Sequence, residues 1–296
     1  MSKLYAGVET GGTKFVAGVG SAAGGSRITR RIETRDPDAT FADIAAFFAE
    51  NAPTDGYAGV GIASFGPVDL DRSSQSYGHI LETPKIAWRG ADLVGRMATV
   101  IDAPIAIDTD VNAAALAEAR LGAGRGRSDD LAYVTIGTGI GVGLVIGGRT
   151  VHGSLHPEAG HIFVRRHKSL GEFKGVCPSH GDCLEGIAAG PAIAARWGAG
   201  LDTLPPDHPA WAAEAEHIAQ LCAMLLLTTS PATIVLGGGV MSQPALFPPI
   251  RKRTAALIAD YVRDADEAAL AQRIVPPACA EAPGLLGAYL LAEQAD

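Results

Sequence analysis

YAGVETGGTKFVAGVG, running from Tyr5 to Gly20, reads as a strand over Leu4–Val8, a turn made of Glu9, Thr10, Gly11, Gly12 and Thr13, and a second strand over Lys14–Val19. The same design returns at an offset of 128 residues in YVTIGTGIGVGLVIGG, Tyr133 to Gly148. Laid over each other without a gap, the two stretches share Tyr, Thr, Gly and Gly, four identities in sixteen. Identity that sparse says little, but a repeated strand, Thr-Gly turn and strand is a repeated physical unit. It predicts two similar lobes, each opening on a glycine hairpin. Gly59–Ala63 and Pro104–Ile107 read as buried strands, and Val111–Leu121 as an alanine-rich helix. Further helices are expected over Ile187–Trp197, Trp211–Thr228 and Pro283–Ala295, and a strand over Thr233–Leu236 before the Gly237-Gly238-Gly239 turn. Strands and helices mixed in this order predict an α/β protein with its binding cleft between the lobes. The polar, glycine-rich segment Gly122–Asp130 is the expected boundary. The N-terminal lobe is expected to span residues 1–121 and to take back the C-terminal helix, 283–296. The C-terminal lobe is expected over 122–282, with the loop 161–183 inside it.

Composition narrows the function classes. The 296 residues are 47% hydrophobic and 19% charged, a balance that supports a large core and excludes a disordered chain. With 24 Lys and Arg against 32 Asp and Glu the net charge is −8, which disfavours a nucleic-acid partner because phosphate neutralisation needs a basic footprint. No secretory signal is read in Met1–Gly12. The longest charge-free run, Ile218–Ile250, is broken by Thr228, Thr229, Ser230 and Pro231, so no membrane span is expected. The four cysteines look like reduced thiols, and a cytoplasmic location is expected.

Three local features carry chemistry. Glycine turns let backbone N–H groups come close to phosphates, and two of them at equivalent places, with Gly237–Gly239 after a third strand, point to a nucleotide. Neither hairpin is a P-loop: the G-x-x-x-x-G-K-[ST] spacing is absent and each turn runs into a strand. Asp108 and Asp110, two apart at a strand end, are expected on one face. Asp110 reads either as the N-cap of the following helix or as a base that deprotonates a hydroxyl. His161, Cys177, His180 and Cys183, written H-x15-C-x2-H-x2-C, form a complete tetrahedral set for one structural Zn2+, with His167 a competing donor and His156 a more distant one. Cys222 and Cys279 read as core thiols.

The succession Glu9–Lys14, Asp108–Ala114, Ile136–Gly139, Gly160-His161 and the cysteine loop resembles the ROK family of sugar kinases, in order from Val8 to about Gly287. Ser64–Val68, Thr83-Pro84-Lys85 and His156-Pro157-Glu158 are similar to its ATP-dependent fructokinase branch. Many ROK kinases carry Asp where this chain has Glu9. The resemblance implies the actin-like (ribonuclease H-like) ATPase fold, two lobes closing over a sugar with ATP at the cleft, and phosphorylation of D-fructose to fructose 6-phosphate. The alternatives are a ROK hexokinase acting on mannose or glucose and a non-catalytic sugar sensor. It implies Asp110 as the catalytic base, with Asp110, Asn112, Glu158 and Glu185 on the sugar and Asp108 behind them. Nucleotide contacts fall on Gly11, Gly12, Thr13, Lys14, Thr138, Gly139, Gly190, Pro191, Gly237, Gly238, Gly239, Val240 and Met241. ATP, Mg2+, structural Zn2+ and a homodimer complete the expectation, His180 standing where the family commonly has a third Cys.

Overall fold

The structure is a computed structural model and describes residues 3–127 and 129–295; Ser128, inside the expected lobe boundary, lies outside the described residues, as do Met1, Ser2 and Asp296. By its contacts the chain divides into two units: Met1–Gly122 with Arg149–Pro157 and Cys279–Asp296, and Ala123–Gly148 with Glu158–Ala278.

The first unit is built on a sheet of β1 (Tyr5–Glu9), β2 (Lys14–Ser21), β3 (Gly25–Glu33), β4 (Val60–Ser64) and β5 (Ile105–Thr109), ordered β3-β2-β1-β4-β5. β1 pairs antiparallel with β2 and parallel with β4, so it lies between its hairpin partner and a crossover strand. Helices α1 (Pro37–Glu50) and α2 (Leu93–Val100) join a core that includes Phe15, Phe47, Phe48, Trp88 and Met97. Helix α3 (Asp110–Arg120) leaves β5 directly, its alanines buried. Helix α9 (Pro283–Ala295) covers the sheet where glycines leave room: a Cβ on Gly61 would fall 1.7 Å from the Ala288 carbonyl oxygen, and one on Gly7 2.7 Å from the Tyr289 ring. A two-residue strand, β8 (Arg149–Thr150), belongs to this unit.

The second unit repeats the plan. β6 (Leu131–Ile136) pairs antiparallel with β7 (Ile140–Ile146) and parallel with β9 (Thr233–Gly237), and β9 pairs parallel with β10 (Ile274–Val275). Around it lie α4 (Leu184–Ala188), α5 (Gly190–Trp197), α6 (Pro209–Thr228), α7 (Phe247–Ile258) and α8 (Glu267–Arg273). The repeated hairpin is real, but its gapless overlay is not kept. Glu9 pairs with Val16 in the first hairpin and Ile136 with Ile140 in the second, so the second turn is the tighter one. Two further expectations are corrected. The helix read over Ile187–Trp197 is two helices, broken at Ala189, whose φ of −71° and ψ of 159° are extended, just before the helix-starting Gly190-Pro191. Asp108 and Asp110 do not share a strand: Asp108 ends inside β5 and Asp110 is the first residue of α3.

Candidate active site

In the first unit the strand-to-helix junction places the carboxylates. Thr109, not Asp110, is the N-cap of α3, its hydroxyl accepting the Asn112 N–H at 3.1 Å. Asp110 is therefore relieved of capping. Its Oδ1 accepts the Val111 N–H at 2.9 Å, and the residue is half-buried in the first turn, where the helix dipole favours an anion. Asp108 is buried at 1% exposure. Its carboxylate accepts the Thr109 N–H at 2.7 Å and the Asn112 side-chain amide at 2.8 Å, and faces His152 Nε2 at 2.9 and 3.0 Å. The hydrogen bond to Asp108 holds His152 protonated above the usual histidine range, against the opposing effect of its burial. Neither this residue nor its role was read from the sequence; its partner lies 44 residues away.

The first glycine turn is held from outside. The Thr34 hydroxyl donates to the Gly11 carbonyl at 2.8 Å, the Thr34 N–H to the Thr13 carbonyl at 3.1 Å, and the Lys85 ammonium to the Gly12 carbonyl. Glu9 stands at its start, its carboxyl pushed up by burial and drawn down by Lys14, which is itself exposed. A buried carboxyl held against ionisation is suited to a cation, and Mg2+ binds through one or two carboxylates together with substrate phosphates. His156, which burial pushes below the usual histidine range, accepts the Val68 N–H on Nε2 at 3.2 Å and so ties the Ser64–Val68 loop to the segment preceding Glu158.

In the second unit a cavity of about 500 Å³ is lined by Gly137 and Thr138 of the β6–β7 turn, Gly190 and Pro191 at the start of α5, and Gly239 and Val240 after β9. Ile193, Gly200, Leu201, Asp202, Ser242 and Gln243 complete it, none of which the sequence reading singled out. The glycines are there for backbone approach: the Gly190 N–H donates to the Gly137 carbonyl at 2.8 Å, and a Cβ at Gly190 would stand 3.1 Å from that oxygen. Gly237, Gly238 and Met241 instead line a neighbouring cavity of about 580 Å³ that shares Ser242. Gly238 takes a φ of +88° and lies against Ile136, so it shapes the turn for its neighbours. Glu185 braces the β6–β7 turn, its carboxylate accepting the Ile140 N–H at 2.9 Å and lying where a Cβ on Gly139 would be. Burial and the charge of Glu185 push Glu158 up to about 7.

His161, Cys177, His180 and Cys183 come together with their ligand atoms all within 4.8 Å of one another. Cys177 Sγ lies 3.7 Å from the Nδ1 atoms of both His161 and His180, and Cys183 Sγ lies 3.5 Å from His161 Nδ1. A tetrahedron with Zn–S of about 2.3 Å and Zn–N of about 2.0 Å has S···N edges of about 3.5 Å, so the donor set fits Zn2+. The loop is preshaped: Cys177 and Gly181 exchange backbone hydrogen bonds at 3.1 and 2.9 Å, and Gly181 has a φ of +61°. Burial, with the neighbouring Cys177, pushes the Cys183 thiol up to about 11. Cys222 is buried in α6, and Cys279 is half-buried with its N–H on Glu118 at 3.1 Å. No helix among the described residues is long and apolar enough to cross a membrane.

Comparison with known proteins adds three findings. Residues 5–295 match the profile described as the ROK family. A fructokinase of Zymomonas mobilis is 39% identical over 298 residues, covering 99% of this chain and 98% of that protein, and one of Pediococcus pentosaceus is 36% identical over 292 residues, covering 99% and 98%. A solved ROK family glucokinase of Streptomyces griseus, in complex with glucose and AMPPNP, aligns with a TM-score of 0.74 at 26% identity, covering 98% of this chain and 99% of that one. The fold is the actin-like ATPase fold of the ROK sugar kinases.

Proposed function

The chain belongs to the ROK family, and we propose that within it the protein is an ATP-dependent fructokinase, transferring the γ-phosphoryl group of ATP to the 6-hydroxyl of D-fructose. The observation that carries this reading is near-full-length identity to proteins that are fructokinases. The site chemistry agrees with it. Phosphoryl transfer asks the protein for positioning and electrostatics more than for covalent chemistry. Asp110, free of the capping duty, takes the proton of the attacking hydroxyl, and Asn112 holds a neighbouring hydroxyl. Glu158 and Glu185 are the further sugar carboxylates, the second also bracing the β6–β7 turn. The nucleotide takes the cavity at Gly137, Thr138, Gly190, Pro191, Gly239 and Val240. Gly237, Gly238, Gly139 and Met241 support that cavity's turns, and Gly11–Lys14 form the second phosphate turn.

Mg2+, when bound with ATP, supplies neutralisation of phosphate charge, and Glu9 is the carboxylate of this chain suited to hold it. Zn2+ is held by His161, Cys177, His180 and Cys183, a closed set that leaves no position for substrate, so its contribution is folding energy. The active form is a homodimer. The test of the whole reading is ADP release with fructose, mannose and glucose over a range of concentrations. We expect the highest kcat/KM with fructose; a higher value with glucose or mannose overturns the fructose assignment, and no release with any hexose overturns the kinase.

A further inference from the structure

We propose that the cavity of about 580 Å³ beside the nucleotide cavity is an effector site, which takes a small monocarboxylate with a flat apolar body on Arg251 and acts on ATP binding. The proposal rests on the reading of the neighbouring cavity as the nucleotide site. All the residues that line the effector cavity, from Leu236 to Pro277, belong to the second unit. Its walls are Leu236, Met241, Phe247, Pro248, Pro276 and Pro277, and Arg251 is its single charged lining residue. Apolar walls with one cation define the ligand as a hydrocarbon body with an anionic end.

Arg251 is half-buried, one turn into α7. Its Nε and Nη2 both donate to the Ile274 carbonyl, at 2.9 and 2.7 Å, and its guanidinium lies over the Phe247 ring, 5.3 Å from the centroid. The fork is thus held in place by one edge, and its Nη1 has no partner among the described residues. No carboxylate among them pairs with it either, and burial draws Arg251 below the usual arginine value. Two residues on, by contrast, Arg253 is held by both oxygens of Glu216, at 2.6 and 3.1 Å. The first turn of α7 carries no acidic residue, so the positive end of the helix dipole and Arg251 stand together without an anion. The walls also choose between anions. Pro248, Pro276 and Pro277 have no N–H to donate, and neither has Pro249 beside them. A phosphate would be short of donors there, whereas the two oxygens of a carboxylate match one edge of a guanidinium.

The two cavities share Ser242, whose hydroxyl donates to the Gly239 carbonyl at 2.7 Å. Along the same turn, Gly239 and Val240 line the nucleotide cavity and Met241 lines the other. An occupant packed on Met241 and Ser242 therefore bears on the turn that walls the nucleotide cavity, and the coupling between the two ligands is reciprocal.

The experiment follows the fluorescence of naphthalene-2-carboxylate on the full-length protein, without nucleotide and with saturating AMPPNP. Naphthalene-2-carboxamide and 2-naphthyl phosphate are the comparison ligands, and Arg251→Met and Arg251→Lys the variants, each with its melting temperature. The carboxylate should bind saturably, and should still bind when AMPPNP is present. The neutral carboxamide should bind about tenfold more weakly or worse, as should the carboxylate to Arg251→Met, because each change removes a charge-assisted hydrogen bond. Arg251→Lys keeps the charge without the fork and should fall between wild type and Arg251→Met. At saturating carboxylate the KM for ATP should shift by about fivefold or more while that for fructose stays within about twofold. No saturable binding, equal binding of the carboxamide, tighter binding of the phosphate, loss of the probe with AMPPNP, or an unmoved KM for ATP each overturns the proposal. If Arg251→Met does not fold, the carboxylate and the carboxamide on wild type decide the role of the charge by themselves. Gly190→Leu, which intrudes on the nucleotide cavity alone, separates the two readings: AMPPNP affinity unchanged in that variant fails the nucleotide reading, while probe binding without nucleotide is read apart from it.

Discussion

Replacing Asp110 with Asn removes one charge at an unchanged side-chain size. Asn keeps the shape, and its side-chain oxygen can still accept the Val111 N–H that Asp110 accepts at 2.9 Å. The cap of α3 is untouched, because Thr109 supplies it. What stability loses is the favourable placement of an anion in the first helical turn, about 0.3–1 kcal/mol, or about 1–4 °C in melting temperature for a chain of this size. What catalysis loses is the acceptor for the hydroxyl proton, and with it about 10²–10⁴-fold in kcat. Thr109→Ala is the opposite perturbation: it removes the 3.1 Å capping bond at a buried position and should destabilise by about 1 kcal/mol while leaving the general base in place. The assay is kcat from ADP release together with thermal melting and ATP affinity for both variants. Asp110→Asn should melt close to wild type, bind ATP normally and turn over slowly. A fall in kcat of less than about fivefold, well short of the general-base range, would refute the assignment of Asp110 and send the search to Asp108 or Glu158.

Protein purified without added metal should contain one equivalent of zinc per chain by elemental analysis, and Cys177→Ser or a strong chelator should lower its melting temperature; active, intact protein with less than about a tenth of an equivalent would remove the site. Glu214 and His217, buried in α6, set a pH profile of stability. Burial raises Glu214 well above the usual carboxylate range, so its contribution is present below pH 4.5 and lost as pH rises toward its folded-state value. Burial lowers His217 to about 4, so its contribution is lost as pH falls from 6.5 toward 4. The two groups therefore act in opposite senses as pH rises, Glu214 lowering stability and His217 raising it. Glu214→Gln should therefore gain on wild type in denaturant midpoint as pH is raised above 4.5; parallel profiles for the two proteins would disprove the linkage.

Signals confined to a few consecutive residues were legible. The glycine hairpins declare themselves through alternation and turn chemistry, and the metal set through spacing, because Cys177, His180 and Cys183 sit on one loop. Strand alternation does not extend from Asp108 to Asp110 for a local reason as well: Thr109 is an N-cap, and a cap turns the chain from strand to helix between the two carboxylates. Gly190-Pro191 in the middle of an apparent helix was the available sign of the break at Ala189. What could not be read is pairing at a distance. Glu185 reaches Ile140 across 45 residues and His152 reaches Asp108 across 44, and neither His nor Glu carries a local mark of its partner. The glycines lining the cavity at Gly137, Gly190 and Gly239 could be read from the sequence, while Ile193 and Leu201, which wall it with ordinary apolar side chains, leave no pattern distinct from core packing.

The placement of α9 has a consequence for biosynthesis. The sheet begun by residues 5–9 is closed over by Leu285, Ala288 and Tyr289, which leave the ribosome long after its strands do. Until residues 285–289 are made, the glycine-bearing face at Gly7, Gly18 and Gly61 lacks this cover, and an open apolar sheet face is a hazard for association between nascent chains. A nascent chain halted near residue 280 would carry every strand of that sheet and lack the helix that seals it. Every strand of this sheet is thus made well before the helix that seals it, and the unit matures only once that helix has been made.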